Sequence, residues 1–157
     1  MKTLLITMML LWTIFSNAQE SNDFEVFFNK FKSAVIAADV PKLKTLIYPF
    51  KDEVEDMQAG LIEKIAHGNK FQTGDGAFSL RALDSLIAHH LDKIHLIEKE
   101  TFQQLARNPI FGKVVRSVGK KHIYTFEHKN TFIVFFKTKK TGIQLFFWEN
   151  LNSLLRE

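Results

Sequence analysis

The sequence predicts an α+β fold, in which N-terminal helices pack on a curved, mainly antiparallel C-terminal sheet of about four strands. Two observations support this prediction. Apolar residues recur at helical spacing in several segments before Ala106, whereas the runs after Gly112 are rich in β-branched and aromatic residues and are separated by turn residues. Helices that precede a meander of strands are typical of the α+β class.

The strand prediction rests on four short runs with turn residues between them. Lys129-Asn130 fits a two-residue hairpin turn, because Asn tolerates positive φ. Gly142 can take the left-handed conformation at the end of the loop before the last strand. The four predicted strands are Lys113 to Val118, Lys121 to His128, Thr131 to Thr138 and Ile143 to Asn150.

The two turns predict which residues face each other, because turn length sets the pairing register of the flanking strands. The last two strands are apolar on both faces instead of alternating with polar residues. We therefore expect helices to cover one face, and more of the chain, a second subunit or a ligand to cover the other. The expected pairs are Tyr124 with Phe135, Phe126 with Ile133, Phe135 with Phe146, and Ile133 with Trp148.

One side of the predicted sheet carries polar groups among its aromatic residues, and the other side is mostly hydrocarbon. A mixed side suits a ligand pocket and a hydrocarbon side suits packing. The alternative is that the aromatic residues are core residues with satisfied polar tips. The candidate ligand-binding residues are Tyr124, Phe126, Phe135, Gln144 and Trp148, with Phe31 from the first helix.

The helical half divides at residues that favour helix ends. A first amphipathic helix is predicted from Asn22 to Asp39. Asp39 can also cap a short second helix that has Pro41 in its first turn. Ser79 is the candidate cap of a later helix, whose apolar face extends from Leu80 to Ile94.

Two further segments complete this half of the chain. A short helix is predicted from Thr101 to Ala106, before Asn108-Pro109. The segment Lys51 to Phe78 contains four glycines and several turn residues, so we expect it to be irregular, either a lid or an extra hairpin.

Met1 to Ala18 has the features of a secretory signal peptide. Lys2 supplies the positive end, Leu4 to Phe15 is mostly apolar but short for a membrane span, and Ser16-Asn17-Ala18 places small residues where a signal peptidase reads them. We predict a periplasmic or secreted protein that is cleaved after Ala18; the alternative is an uncleaved anchor. The chain has no cysteine, so neither a lipoprotein anchor nor a disulfide is expected.

Cleavage would leave residues 19–157 as a single domain. Removing 18 of the 157 residues leaves 139, a length that one hydrophobic core can support. Loss of Lys2 from the 21 basic residues leaves 20 against 17 acidic ones, a net charge of +3. That charge is too low to indicate a nucleic-acid partner. The sequence contains no second hydrophobic stretch, so no membrane span is expected after cleavage.

Residues 28–50, which read FNKFKSAVIAADVPKLKTLIYPF, resemble the corresponding part of exported bacterial domains of the nuclear-transport-factor-two-like superfamily. In that superfamily a first helix ends in an alanine-rich turn with an acidic residue, and a short helix with a proline-containing exit follows. The resemblance implies a cone-shaped α+β domain with a pocket between the curved sheet and the long helix. It also implies a homodimer through the outer face of the sheet, but no single reaction.

No motif assigns a catalytic residue, a metal site or a cofactor. The densest histidine group, His89, His90 and His95 with Asp92, lacks the i,i+4 pair and the glutamate of a zinc-binding helix, so solvated histidines on a polar face are expected. The chain has no cysteine nucleophile and no GxSxG serine motif.

Three functions follow from these observations. The preferred hypothesis is non-catalytic binding of a small molecule or a protein, in or on the cone. The second is a small hydrolase or isomerase that uses a buried acid or histidine in the cone. The third is an inhibitory or structural partner protein that acts through the sheet face.

Overall fold

The computed structural model describes residues 22–49, 54–67, 72–73, 76–77 and 79–155. The signal peptide predicted for residues 1–18 lies outside these ranges. The helices are α1 (22–36), α2 (Val40–Leu46), α3 (Val54–His67), α4 (Leu80–His89), α5 (Lys99–Arg107) and α6 (Gly112–Val118). The strands are β1 (Gln72–Thr73), β2 (Gly76–Ala77), β3 (Ile94–Leu96), β4 (Ile123–His128), β5 (Thr131–Thr138) and β6 (Gly142–Glu149). Short 3-10 helices cover Leu91–Lys93, Lys120–His122 and Leu151–Leu155.

The main sheet confirms the α+β prediction. Its four strands are all antiparallel, in the order β3-β4-β5-β6, and most of the helices precede it in the chain. Strands β4, β5 and β6 match three of the four predicted runs. The fourth strand is β3, which pairs with β4 so that Ile94 lies opposite Phe126 and Leu96 lies opposite Tyr124. The predicted helical face therefore ends before Ile94, because α4 stops at His89.

Each face of the sheet has its own buried hydrophobic cluster. Helices α1 to α4 pack on the face that we call inner, and helices α5 and α6 pack on the outer face. More of the chain therefore covers the second apolar face, which removes the reason to expect a second subunit there. The buried sheet residues of the inner face are Tyr124, Phe126, Ile133, Phe135 and Leu145. Those of the outer face are Ile123, Val134, Phe136 and Phe146.

The run Lys113 to Val118 is helical, so its prediction as a strand is wrong. The side chain of Asn108 stabilises the turn before α6, because its Oδ1 accepts hydrogen bonds from the backbone N–H groups of Ile110 and Phe111 at 2.8 and 3.0 Å. Packing of one helix face thus outweighs the strand propensity of the valines. The residues that pack into the outer cluster recur at i, i+3, i+4 and i+7, the spacing of one helix face: Phe111, Val114, Val115 and Val118.

A β-bulge changes the predicted register between β5 and β6. Three predicted pairs are confirmed: Tyr124 with Phe135, Phe126 with Ile133, and Ile133 with Trp148. The fourth is wrong, because the register shifts between Val134 and Phe135 and places Leu145 opposite Phe135. A bulge adds one residue to one strand, so the side chains beyond it exchange faces. Phe146 accordingly belongs to the outer cluster and Leu145 to the inner one.

Short-range hydrogen bonds confirm the predicted helix ends. The carboxylate of Asp39 accepts a hydrogen bond from the backbone N–H of Lys42 at 2.9 Å, and Pro41 lies in the first turn of α2. The hydroxyl of Ser79 accepts from the N–H of Ala82 at 3.0 Å, which caps α4. These caps satisfy N–H groups that have no partner within their own helix.

The described parts of the segment Lys51 to Phe78 are more regular than the sequence indicates. Residues 54–67 form α3, so the expected irregular conformation is wrong over that range. Strands β1 and β2 pair with each other in antiparallel fashion and form the extra hairpin. None of the helices in the described ranges has both the length and the apolar character that a membrane crossing requires.

Candidate functional site

The predicted ligand-binding residues lie mainly on the inner face of the sheet. Tyr124 and Phe126 come from β4, Phe135 comes from β5, and Phe31 reaches them from α1. Trp148 on β6 packs against the same cluster and is half-buried. The structure therefore brings five of the six predicted residues together, and Gln144 is the exception.

Aromatic rings from α1 fill the space in front of these residues. The ring of Phe135 lies 5.2 Å from that of Phe24, 6.0 Å from that of Phe27 and 5.6 Å from that of Phe28, in edge-to-face contacts. Such contacts are favourable between aromatic side chains. Phe31 is 1% exposed, and Phe135 has no exposed surface. This part of the predicted pocket is therefore tightly packed core.

Gln144 lies on the outer side of the sheet, so its prediction on the Tyr124 side is wrong. The bulge places Gln144 opposite Phe136, which belongs to the outer cluster. Its side-chain amide donates a hydrogen bond to the backbone carbonyl of Thr45 at 3.2 Å. Gln144 therefore has a structural role, because this bond joins the end of α2 to β6.

A charged pair closes the Tyr124 end of the inner face. The ammonium group of Lys137 lies 2.9 Å from a carboxylate oxygen of Asp23, in the first turn of α1. The same ammonium lies 5.6 Å from the ring centre of Tyr124 and 5.9 Å from that of Phe24. These distances suit cation–π attraction. The pair fixes the start of α1 over the sheet.

Histidines close the opposite end of the inner face. His90 is 6% exposed, which contradicts the expectation of a solvated side chain, whereas His89 and His95 are exposed as expected. The ring of His90 lies 4.9 Å from that of His128 and 6.4 Å from that of Phe126. His90 is therefore packed against the sheet at the point where α4 ends.

Lys93 joins this histidine pair. Its ammonium nitrogen lies 3.1 Å from Nδ1 of His128. A lysine ammonium can only donate, so the contact needs a ring nitrogen that accepts. Within the described ranges, no three His, Asp or Glu side chains are placed to hold a metal ion together.

An open groove lies on the sheet beside the β4–β5 turn. Its volume is about 450 Å³, and we call it the hairpin groove. Glu127 and Glu149 are exposed, Phe132 is half-buried and Thr131 is buried. The groove therefore combines charged, aromatic and hydroxyl groups at one place. It is lined by Glu127, Lys129, Asn130, Thr131, Phe132, Glu149 and Asn150.

Local backbone geometry shapes the groove at both strand ends. Lys129 in the β4–β5 turn has φ 53°, and Asn150 after β6 has φ 47°. The hydroxyl of Thr131 donates to the carbonyl of Asn150 at 2.9 Å and contacts the hydroxyl of Ser153. These bonds hold the end of β6 beside the start of β5.

No sequence motif predicts the hairpin groove. The signal was present in the register, because the two-residue turn at Lys129-Asn130 already places Glu127 opposite Phe132. The Glu149 side follows from the predicted pairing of Ile133 with Trp148, because the same register places Glu149 opposite Phe132. The bulge lies beyond these pairs, between Val134 and Phe135, and leaves them unchanged.

Comparisons with protein-family models, with curated proteins and with solved structures give no match for this chain.

Proposed function

We propose that the protein is an exported, non-catalytic binding domain that takes a small molecule in the hairpin groove. The observation that carries this proposal is the groove itself, about 450 Å³ in volume, which is lined by an aromatic side chain and charged groups. A concave site with a few convergent polar groups is the usual form of a small-molecule site. Both carboxylates in the groove are exposed, so they lack the burial that prepares an acid for catalysis.

The packed interior supports a site on the sheet in preference to one inside the cone. Phe126 and Phe135 have no exposed surface, and Phe31 is 1% exposed. A ligand in front of them would have to displace the α1 rings, and displacing well-packed aromatic side chains costs several kcal/mol. The hairpin groove requires no such rearrangement.

Export is the second part of the proposal, and the N-terminal sequence supports it. A positive residue, a short apolar stretch and the small residues Ser16 and Ala18 follow one another in the order of a signal peptide. Membership of the nuclear-transport-factor-two-like superfamily is proposed on the order of elements and on residues 28–50. The resemblance implies a dimer through the outer face of the sheet, whereas in this chain helices α5 and α6 pack on that face.

A fragment screen by two-dimensional NMR tests the binding site. We expect fragments to shift the backbone amide signals of Glu127, Phe132 and Glu149 in a saturable manner. A matched test uses Phe132→Ala for the groove and Trp148→Ala for the inner face, with folding of both variants checked by circular dichroism. Binding that is lost only in Trp148→Ala, or no saturable binding at all, would contradict the proposal.

One observation favours the enzyme alternative, a hydrolase or isomerase. The buried imidazole of His90 packs against the ring of His128, whose Nδ1 lies 3.1 Å from the ammonium of Lys93. Paired imidazoles can serve as acid and base catalysts. Turnover of an ester or ketone substrate that disappears in His90→Phe, with the fold retained, would establish this alternative. Equal turnover in the variant would remove it.

A further inference from the structure

Two glutamates and one phenylalanine form a row across the three strands that border the hairpin groove. Phe132 on β5 is paired with Glu127 on β4 and with Glu149 on β6. Residues directly opposite each other in a sheet share a face, so the three side chains project from the same side. The row therefore places an aromatic side chain between two exposed carboxylates.

The spacing of the row limits the size of a bridging ligand. Neighbouring strands lie about 4.8 Å apart, so the backbones of Glu127 and Glu149 are separated by about 10 Å. If the two glutamate side chains extend in parallel, their carboxylates keep this separation. Two charge-assisted hydrogen bonds of about 2.8 Å each then leave about 4 to 5 Å between the ligand nitrogens. A chain of three or four methylene groups between two ammonium groups spans that distance.

The charge of the groove favours a cation. Two carboxylates and the ammonium of Lys129 line it, which gives a local charge of −1, whereas the whole chain carries +4. An anion would meet both carboxylates, but a cation is attracted by them and by the face of the Phe132 ring. Methylene groups can then lie along the ring, where they bury apolar surface.

Contacts within the protein support the wall of the groove. Thr131, next to Phe132, is 1% exposed and donates to the carbonyl of Asn150 at 2.9 Å. The ring of Phe132 lies 6.4 Å from that of Phe147, which packs against the outer cluster. A preorganised wall loses less side-chain entropy on binding than a mobile one.

We propose that the hairpin groove binds a short aliphatic diamine, with one ammonium group on Glu127, the other on Glu149, and the methylene chain across Phe132. This inference rests on the proposed function, because it names the ligand class of the same groove. The two ammonium groups distinguish the ligand from a simple amine, which reaches only one of the carboxylates.

The test is an NMR titration of the exported protein with 1,4-diaminobutane at constant ionic strength. We expect saturable shifts at Glu127, Phe132 and Glu149, and affinity for butylamine that is lower by about twofold to fivefold, the equivalent of one exposed ion pair. Glu127→Gln and Glu149→Gln should each weaken diamine binding by a similar factor, and the double variant should abolish saturation. Glu25→Gln, the same charge change on α1, should leave the affinity unaltered.

Three results would overturn the inference: no saturable shift with the diamine, equal affinity for diamine and butylamine, or equal weakening by Glu25→Gln and Glu127→Gln. The last result would indicate attraction by net charge alone. If the diamine fails while other fragments shift the same groove amides, the binding function stands and the ligand class is wrong. If no compound shifts them, both proposals fail.

Discussion

Phe146 stacks on Phe136 with ring centroids 4.3 Å apart and ring planes 25° from parallel, on the face of the sheet opposite Phe135. The pairing of Phe146 with Phe135 that the sequence predicts would instead turn Phe146 to the inner face, and the register shift between Val134 and Phe135 leaves it on the outer one. Tyr48 and Phe111 add their rings to the same cluster at 5.7 and 5.4 Å from Phe146. The α5–α6 cover of the outer face therefore depends on the ring of Phe146.

The first prediction tests that dependence. Phe146 is 4% exposed, so Phe146→Ala should lower the free energy of unfolding by about 3 to 5 kcal/mol, measured by urea denaturation. Phe147 is half-buried and is the matched control, because Phe147→Ala leaves a partly solvated site. Equal losses in the two variants would show that the bulge does not select Phe146 for the core.

The second prediction concerns the close approach of α5 and α6. A Cβ atom on Gly112 would lie 2.4 Å from the carbonyl oxygen of Ala106, which is backbone and has little freedom to move. Gly112→Ala should therefore destabilise the protein by about 1 to 3 kcal/mol, the usual cost of overpacking. Thermal unfolding followed by circular dichroism measures the effect.

Gly60 provides the control for this substitution. It is exposed in α3, and an added Cβ would meet nothing within 4 Å. Gly60→Ala should stabilise the protein by about 0.5 to 1 kcal/mol, because alanine has the higher helix propensity. If Gly112→Ala is as stable as the unsubstituted protein, α5 and α6 can move apart at little cost in free energy.

The third prediction concerns the start of α2. Asp39→Ala removes the carboxylate that accepts from the N–H of Lys42, so unfolding free energy should fall by about 1 kcal/mol. Asp39→Asn keeps a side-chain oxygen at the same place and should cost less. If Asp39→Asn lowers the free energy of unfolding as much as Asp39→Ala does, the effect comes from the charge of Asp39 and not from capping.

The fourth prediction concerns export. Mass spectrometry of the protein recovered outside the cytoplasm should give a chain that starts at Gln19. Ala18→Gln should block cleavage, because the peptidase requires a small residue immediately before the cut. Asn17→Gln lies between the two positions that are read and should be processed normally. A mature protein that retains residues 1–18 would show that the segment is an anchor.

The inner face shows how far the sequence predicts a site. The hairpin turn at Lys129-Asn130 places Tyr124 and Phe126 on one face with Phe135, and the structure confirms that register. Whether the space before them is open depends on the volume that α1 occupies. Three α1 phenylalanines contact Phe135, and the sequence pattern alone does not give the distance between helix and sheet.

The burial of His90 is a second feature that the local sequence does not predict. His89, His90 and His95 look alike in the sequence, on a segment expected to present a polar face. Only the end of α4 and its position over β4 make His90 buried while the other two are exposed. Burial of a single polar residue is decided by contacts between segments that lie far apart in the chain.

Local pattern determined the α+β class, the caps at Asp39 and Ser79, and strands β4 to β6. These features rest on hydrogen bonds and side-chain spacing within a few residues, which a single segment contains. Tertiary packing decided the helical state of Lys113 to Val118, the bulge in β6 and the cover of the outer face. These depend on apolar surface buried between distant segments, a contribution that outweighs the intrinsic preference of valine for a strand.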